Sequence, residues 1–358
     1  EELWQKANSL WIQAGATDDS FAARPLLLEA EENLDQMLAK QPGHPGALDL
    51  QRRVKARLDE SSQVRRVNWE GKLMTYPQNA SLTRVVVQGV DVFVMDRSAD
   101  IVYHHRLDEF QQSLEPETQD RILVRKGEQV GDILVGDLVD MVWMPVGSGR
   151  QKAGLVILEG SGSLLEYDPG TKSLTSSPLA MTDAWQLPHL VGSHSGRLYV
   201  LDLGANRIWR YGPTPDGYSS PPDEWLQTDI DLAGVRDMAV GDSIYLLYAD
   251  GTIQKLTGGN PDAFDTSDWD VPPLGPTAIF TRTPNETQWV YVADAGNDRI
   301  VRSSKEGKLG GQFRLANSQA VGSDDPLANV SSLFVDEIGG RAYFPSDNNL
   351  YVIVLPEE

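Results

Sequence analysis

Over the first sixty or so residues the apolar positions recur at helical spacing. Leu3, Ala7, Leu10, Trp11 and Ala14 fall on one face, the i, i+4, i+7, i+8, i+11 series of an amphipathic helix. Gly15 and Asp18-Asp19-Ser20 then read as a stop and a new cap. A second apolar set, Leu27, Ala30, Leu34, Met37 and Leu38, ends at Gln41-Pro42-Gly43-His44-Pro45. A third helix is predicted on Ala47, Leu48, Leu50, Val54 and Leu58. From Val64 onward the period changes to two, the signature of strands with one face buried.

The clearest strand stretch runs from Trp289 to Phe313. Val290 and Val292 alternate with Tyr291 and Ala293, Asp294-Ala295-Gly296-Asn297 supplies turn chemistry, and Ile300 resumes the alternation before a second reversal at Glu306-Gly307-Lys308. This pattern has five partial echoes. They span Arg84–Tyr103, Met141–Tyr167, His189–Tyr211, Asp237–Leu256 and Ser332–Val354. Equivalent positions lie about 40 to 60 residues apart, the period of propeller blades. A single such sheet cannot bury both faces, and six packed around an axis can. The expected fold is therefore mainly β, a six-bladed β-propeller (residues 64–358) behind a short N-terminal α-helical unit (residues 1–63). The last echo ends with the chain and lacks an outer strand. The segment 64–76, with Val67, Trp69, Leu73 and Met74, is expected to supply it and close the ring.

Composition narrows the function classes. There is no Cys, so thiolate metal sites, cysteine nucleophiles and disulfide frameworks are excluded. Lys plus Arg is 31 against 52 Asp plus Glu, a net charge of −21. That field repels nucleic acid and anionic membrane surfaces, so neither is an expected partner. No run reaches the roughly 18 apolar residues of a membrane helix.

Candidate chemistry collects where the inner strands begin, at one mouth of the central channel. Aligning the echoes places Arg84, Asp140, His189, Arg236, Asp237, Asn329 and Ser331 there, a convergence of polar groups that suits a ligand site. Two Arg mixed with two Asp favour mutual pairing over a metal, so no metal and no cofactor is expected. Asp96, Asp202 and Asp294 end second strands and are expected to bond turn backbone. Three stretches depart from the repeat: Leu107–Val130, Gly212–Trp225 and Gly258–Pro273. The last carries Asp262, Asp265, Asp268 and Asp270 but lacks the glycine and closing glutamate of an EF-hand loop. Gly192-Ser193-His194-Ser195-Gly196 has His where a nucleophile elbow needs Ser, and reads as a hairpin. Trp185, Trp225 and Trp269 lie in or beside loops, where they either stack on a ligand or cover a blade edge.

The Trp289–Phe313 stretch closely resembles an NHL repeat, and Ala39–Leu48 (Ala-Lys-Gln-Pro-Gly-His-Pro-Gly-Ala-Leu) resembles the junction between tetratricopeptide repeats. The order of helices then propeller is similar to the outer portion of bacterial membrane-anchored Ser/Thr protein phosphatase-type receptors. That resemblance implies an extracellular, non-enzymatic sensor module binding a protein, a cell-wall fragment or a small molecule at the propeller face. It also implies a membrane anchor and a phosphatase domain preceding Glu1, neither of which is in this sequence. Two other readings stay open: a metal-dependent lactonase-like hydrolase using the channel carboxylates, and a protein–protein assembly scaffold.

Overall fold

The structure is a computed structural model and describes residues 2–17, 20–119, 121–316 and 325–356, with the backbone alone at Ser20, Phe21, Trp69 and Glu70. The chain divides into two compact units: Glu1–Arg66 with Gly310–Arg314, and Val67–Leu309 with Leu315–Glu358.

In the first unit three helices form, α1 (Glu2–Gly15), α2 (Ser20–Lys40) and α3 (Pro45–Ser61). Their apolar stripes meet in one core containing Ala7, Leu10, Ala14, Leu27, Ala30, Leu34, Leu50 and Val54. Alanines at these positions let the helix backbones approach closely. The α3 start is built by sequence: Pro45 occupies the first turn, and the His44 ring nitrogen Nδ1 accepts the Ala47 N–H at 3.0 Å. Gln312 belongs with this unit, donating its backbone N–H to Gln63 O (3.1 Å) and its side-chain amide to Ser62 O (2.7 Å). The Asp18-Asp19 cap lies outside the described residues.

The second unit is a six-bladed β-propeller. Blade one holds Leu82–Gln88, Asp91–Asp96, Ile101–Arg106 and Ile122–Arg125, from the channel outward. Blade two holds Leu138–Met144, Gly154–Glu159, Ser163–Asp168 and Ser173–Pro178. Blade three holds Pro188–His194, Arg197–Asp202, Arg207–Tyr211 and Asp223–Glu224. Blade four holds Val235–Val240, Ile244–Tyr248, Ile253–Thr257 and Asn260–Asp262. In blade five Ala278–Phe280, Val290–Asp294 and Arg299–Ser303 pair in turn. Blade six is assembled from both ends of its unit. Phe334–Asp336, Arg341–Ser346 and Asn349–Val354 are joined on the outside by Trp69–Thr75, with Lys72 opposite Tyr351.

Alternation along each strand sends one set of side chains to each neighbouring blade. Val86, Phe93 and Val102 of blade one meet Met141, Leu155 and Leu165 of blade two. Val156 and Leu158 meet Val191, Leu198 and Val200. Leu201 and Ile208 meet Met238 and Leu246, and Tyr245 and Leu247 meet Ile279, Val292 and Val301. Across the closing seam Leu73, Tyr343 and Val352 pack on Val85, Val92 and Val94. These strands are buried on both faces, so their apolar runs are nearly continuous.

The three irregular stretches are not pure loops. Each contains an outer strand of its blade: Ile122–Arg125, Asp223–Glu224 and Asn260–Asp262. An outer strand faces solvent on one edge, so Asp223–Glu224 and Asn260–Asp262 are polar, while the apolar Ile122, Leu123 and Val124 are only three residues within a charged stretch.

Candidate functional site

The inner strands all run in one direction along the channel, so each contributes an equivalent position to each layer. The ladders set the equivalence: Arg84 lies opposite Met95, Asp140 opposite Leu158, Leu190 opposite Leu201, Asp237 opposite Leu247 and Ala278 opposite Ala293. This layer lies just inside the proximal mouth, where the inner strands begin. Blades three and five place Leu190 and Ala278 in it, and that leaves room for a long side chain from blade one.

Arg84 fills that room. Its Nε and Nη2 donate to Asp140 Oδ1 (2.7 Å) and Oδ2 (3.0 Å), the bidentate geometry in which a guanidinium matches a carboxylate. Its Nη1 reaches across the channel to Asp237 Oδ1 at 3.0 Å. The outer oxygens of both carboxylates are also engaged. Asp140 Oδ2 accepts Val191 N–H at 2.9 Å, and Asp237 Oδ2 accepts Ile279 N–H at 2.9 Å. Ser332 Oγ does the same for Val85 N–H at 3.2 Å. Blades two, four and six therefore each use one side chain to satisfy a backbone N–H of the next blade.

Both aspartates are buried, 3% and 4% exposed. Burial works against the Arg84 cation, but the Asp140 and Asp237 charges outweigh it and hold the guanidinium above its ordinary value. For Asp237 burial dominates, and it raises the carboxyl against the pull of Arg84 and the Ile279 N–H. One cation thus balances two acids of which one is already biased toward its neutral form. All four carboxylate oxygens have a donor. Among the described residues no group of three or more His, Asp or Glu side chains converges as metal ligands.

The other four residues named from the sequence sit elsewhere. His189, Arg236, Asn329 and Ser331 line an open depression of about 570 Å³ at the proximal mouth, with Thr277 and Val235 between them. Arg236 is exposed while its neighbour Asp237 is buried: Arg236 is the unpaired residue of a bulge, with Val235 opposite Tyr248 and Asp237 opposite Leu247. Burial lowers the His189 imidazole, with Asp140 opposing and Arg97 and Arg84 assisting, so the ring is neutral at pH 7. Ser331 Oγ donates to Pro345 O at 3.4 Å, and Asn329 Nδ2 to Asp347 Oδ2 at 3.5 Å. The residue that closes the last inter-blade seam, Ser332, is one position beyond the serine read from the sequence. Strand alternation was the available signal, and it is ambiguous by one step where the strand itself begins only at Phe334.

The second-strand aspartates are turn architecture. Asp96 Oδ1 accepts from Ser81 N (2.9 Å) and Ser98 N (2.9 Å). Asp202 accepts from Gln186 N, Leu187 N and Ala205 N. Asp294 accepts Leu274 N at 2.7 Å and the buried Arg299 Nε at 2.6 Å. The aspartates of the blade-four insert point to separate partners: Asp262 to Thr257, Asp265 to Lys308, and Asp268 to Leu309 N. Trp225 and Trp269 are buried and cover blade edges, and Trp185 Nε1 donates to Tyr211 OH at 3.1 Å. Ser195 and Gly196 are the positive-φ corner of the hairpin joining Pro188–His194 to Arg197–Asp202.

Neither a protein-family model nor a curated relative matches the sequence. Solved structures share the fold at low identity. The WD40 repeats of RRP9 align with a TM-score of 0.51 at 10% identity, over 82% of this chain and 99% of that one. The PQQ-bound aldose sugar dehydrogenase of Streptomyces coelicolor aligns at TM-score 0.45 and 12% identity, over 80% and 97%. A gluconolactonase of Xanthomonas campestris aligns at TM-score 0.45 and 14% identity, over 74% and 82%. At these identities the likeness shows the propeller fold and nothing about activity.

Proposed function

We propose that this chain is a non-enzymatic binding module, the extracellular sensor part of a membrane-anchored bacterial protein, which takes a protein, cell-wall or small-molecule ligand at the proximal face. The observation that carries the non-enzymatic reading is the engagement of every oxygen of Asp140 and Asp237 by Arg84 and backbone N–H groups. Carboxylates held in this way brace the ring and offer no free lone-pair set to a hydrolytic metal. Recognition then falls to the depression above them, where a neutral imidazole, an exposed guanidinium, an amide and a hydroxyl stand together. The cell-surface placement, the NHL and tetratricopeptide assignments and the phosphatase association are supported by the sequence resemblance.

Elemental analysis, calcium titration and lactone turnover test this against the lactonase reading. The expected result is no stoichiometric metal and no turnover. Stoichiometric calcium together with turnover that disappears in Asp140→Asn would overturn it. Binding of peptidoglycan fragments and of candidate partner proteins to the immobilised chain should weaken in Arg236→Ala. Loss of partners on deleting residues 1–63, with Arg236→Ala silent, would favour the scaffold reading.

A further inference from the structure

The Arg84 layer is the floor of a second space in the channel, on the side toward the distal mouth, where the inner strands end. A cavity of about 90 Å³ opens there, lined by consecutive inner-strand residues of all six blades. Its wall mixes apolar and aromatic side chains, including Trp143, Phe280, Phe334 and Val240, with nearly as much polar surface. The wall hydroxyls are already engaged: Ser193 Oγ donates to Trp143 O at 2.7 Å, and Thr281 Oγ1 donates to Trp289 O at 2.7 Å. Arg84, at the floor, is neutralised by Asp140 and Asp237.

Arg282 is different. It lines the same cavity, its side chain is only 22% exposed, and its guanidinium lies 5.0 Å from the Phe334 ring centre. Among the described residues its ion pair is with Glu286 through Nη1, at 3.3 Å. A guanidinium has five N–H donors in a planar fork suited to a carboxylate. Here it is drawn out of water, held flat by an aromatic ring, and paired at a single nitrogen. Lys305 stands behind that wall, its Nζ donating to Thr281 Oγ1 and to Arg282 O.

The geometry points to a ligand site at the distal mouth for a small apolar carboxylate, with the acid on the free edge of Arg282 and a short aliphatic body in the cavity. A volume of about 90 Å³ accommodates an aliphatic group of roughly four carbons. Two sources carry this chemistry: a free short branched-chain acid, and the C-terminal carboxylate of a peptide ending in Leu or Val. The cavity is separated from the proximal depression by the Arg84 layer, so the assignment stands or falls independently of the function proposed above.

The test is titration calorimetry with ligand-observed NMR on the full chain, using 3-methylbutanoate, 3-methylbutanamide, and an acetylated tripeptide ending in Leu as the free acid or the amide. The free acids are expected to bind saturably, with the small acid near millimolar as its atom count allows. The amides should bind at least about tenfold more weakly, the loss of one charge-assisted pair. Arg282→Gln should remove the acid–amide difference, and Arg282→Lys should retain part of it. A peptide acid about tenfold tighter than 3-methylbutanoate assigns the site to a chain terminus, and equal affinities assign it to the free acid. Acid and amide binding alike, no saturable binding of any probe, or an unchanged affinity in Arg282→Gln with wild-type thermal stability would overturn the proposal.

Discussion

Replacing Arg84 by Met removes the cation and leaves two buried carboxylates facing each other across the channel. Three hydrogen bonds disappear, at 2.7, 3.0 and 3.0 Å. Asp140 and Asp237 retain only their backbone donors, Val191 N–H and Ile279 N–H. Removing one partner of a buried ion pair costs about 3–5 kcal/mol, because the charge left behind is neither solvated nor paired. With an unfolding entropy of about 2.1 cal/mol/K per residue over roughly 290 propeller residues, 1 kcal/mol corresponds to about 1.6 °C, so the midpoint should fall by roughly 5–8 °C. The sign of the pH dependence separates this from simple loss of packing. Without Arg84 the Asp237 carboxyl, already raised by burial, loses the cation that opposes that rise, so its folded-state value stands above the unfolded one. Such a group favours folding below the unfolded value, near pH 4, and that contribution is lost as the pH rises through the folded value. The gap between variant and wild type should therefore be widest near pH 7 and narrow toward about pH 5. Adding Asp140→Asn and Asp237→Asn to Arg84→Met should recover most of the loss, since an amide oxygen still accepts from the backbone. Calorimetric or urea unfolding at several pH values measures all of this. A cost below about 1 kcal/mol, or a gap independent of pH, would refute the account of Arg84 as the neutralising centre of the ring.

Three further outcomes follow from single residues. Ser332→Ala should cost about 1–2 kcal/mol by leaving the buried Val85 N–H without its acceptor, while Ser331→Ala stays within about 0.5 kcal/mol, and urea midpoints distinguish them. Asp294→Ala should cost about 3–5 kcal/mol by stripping the Arg299 Nε partner at a site where both side chains are 1% exposed or less, with Asp294→Asn milder. Lys305, lowered by burial from 10.5 to about 8, should make stability rise with pH from about 8 to about 10.5. In that window the unfolded chain binds the extra proton, and the gain is on the order of 1–2 kcal/mol after solvent screening. Lys305→Met should flatten the slope relative to wild type.

Much of the architecture is local in origin, and so it was legible. Helical spacing of Leu3 to Leu58 against period-two runs from Val64 located the change of structure, and the repeat around Val290–Val301 gave the blade count. Strands buried on both faces announce themselves because every blade must cover its neighbours with Val, Leu and Ile. The turn role of Asp96, Asp202 and Asp294 was readable for the same reason, since a short acid after a strand bonds backbone within a few residues.

The outer strands and the site were decided by tertiary structure. Asp223–Glu224 and Asn260–Asp262 carry polar sequences because one of their edges faces water, and the apolar run Ile122, Leu123 and Val124 is too short and too deep in a charged stretch to stand out, so no periodicity marks them. The seven mouth residues separate into a buried salt-bridge layer and an open depression, and the separation between Arg236 and Asp237 comes from a bulge that leaves Arg236 unpaired. Ser332, Leu190 and Ala278 matter through what their blades place opposite them, which no window of sequence contains. Sequence by itself determined that this chain repeats and that each repeat is a sheet with two apolar faces. Only the closed ring decided which charges meet, because Arg84 pairs with residues 56 and 153 positions away, and the channel that joins them exists only when all six blades are in place.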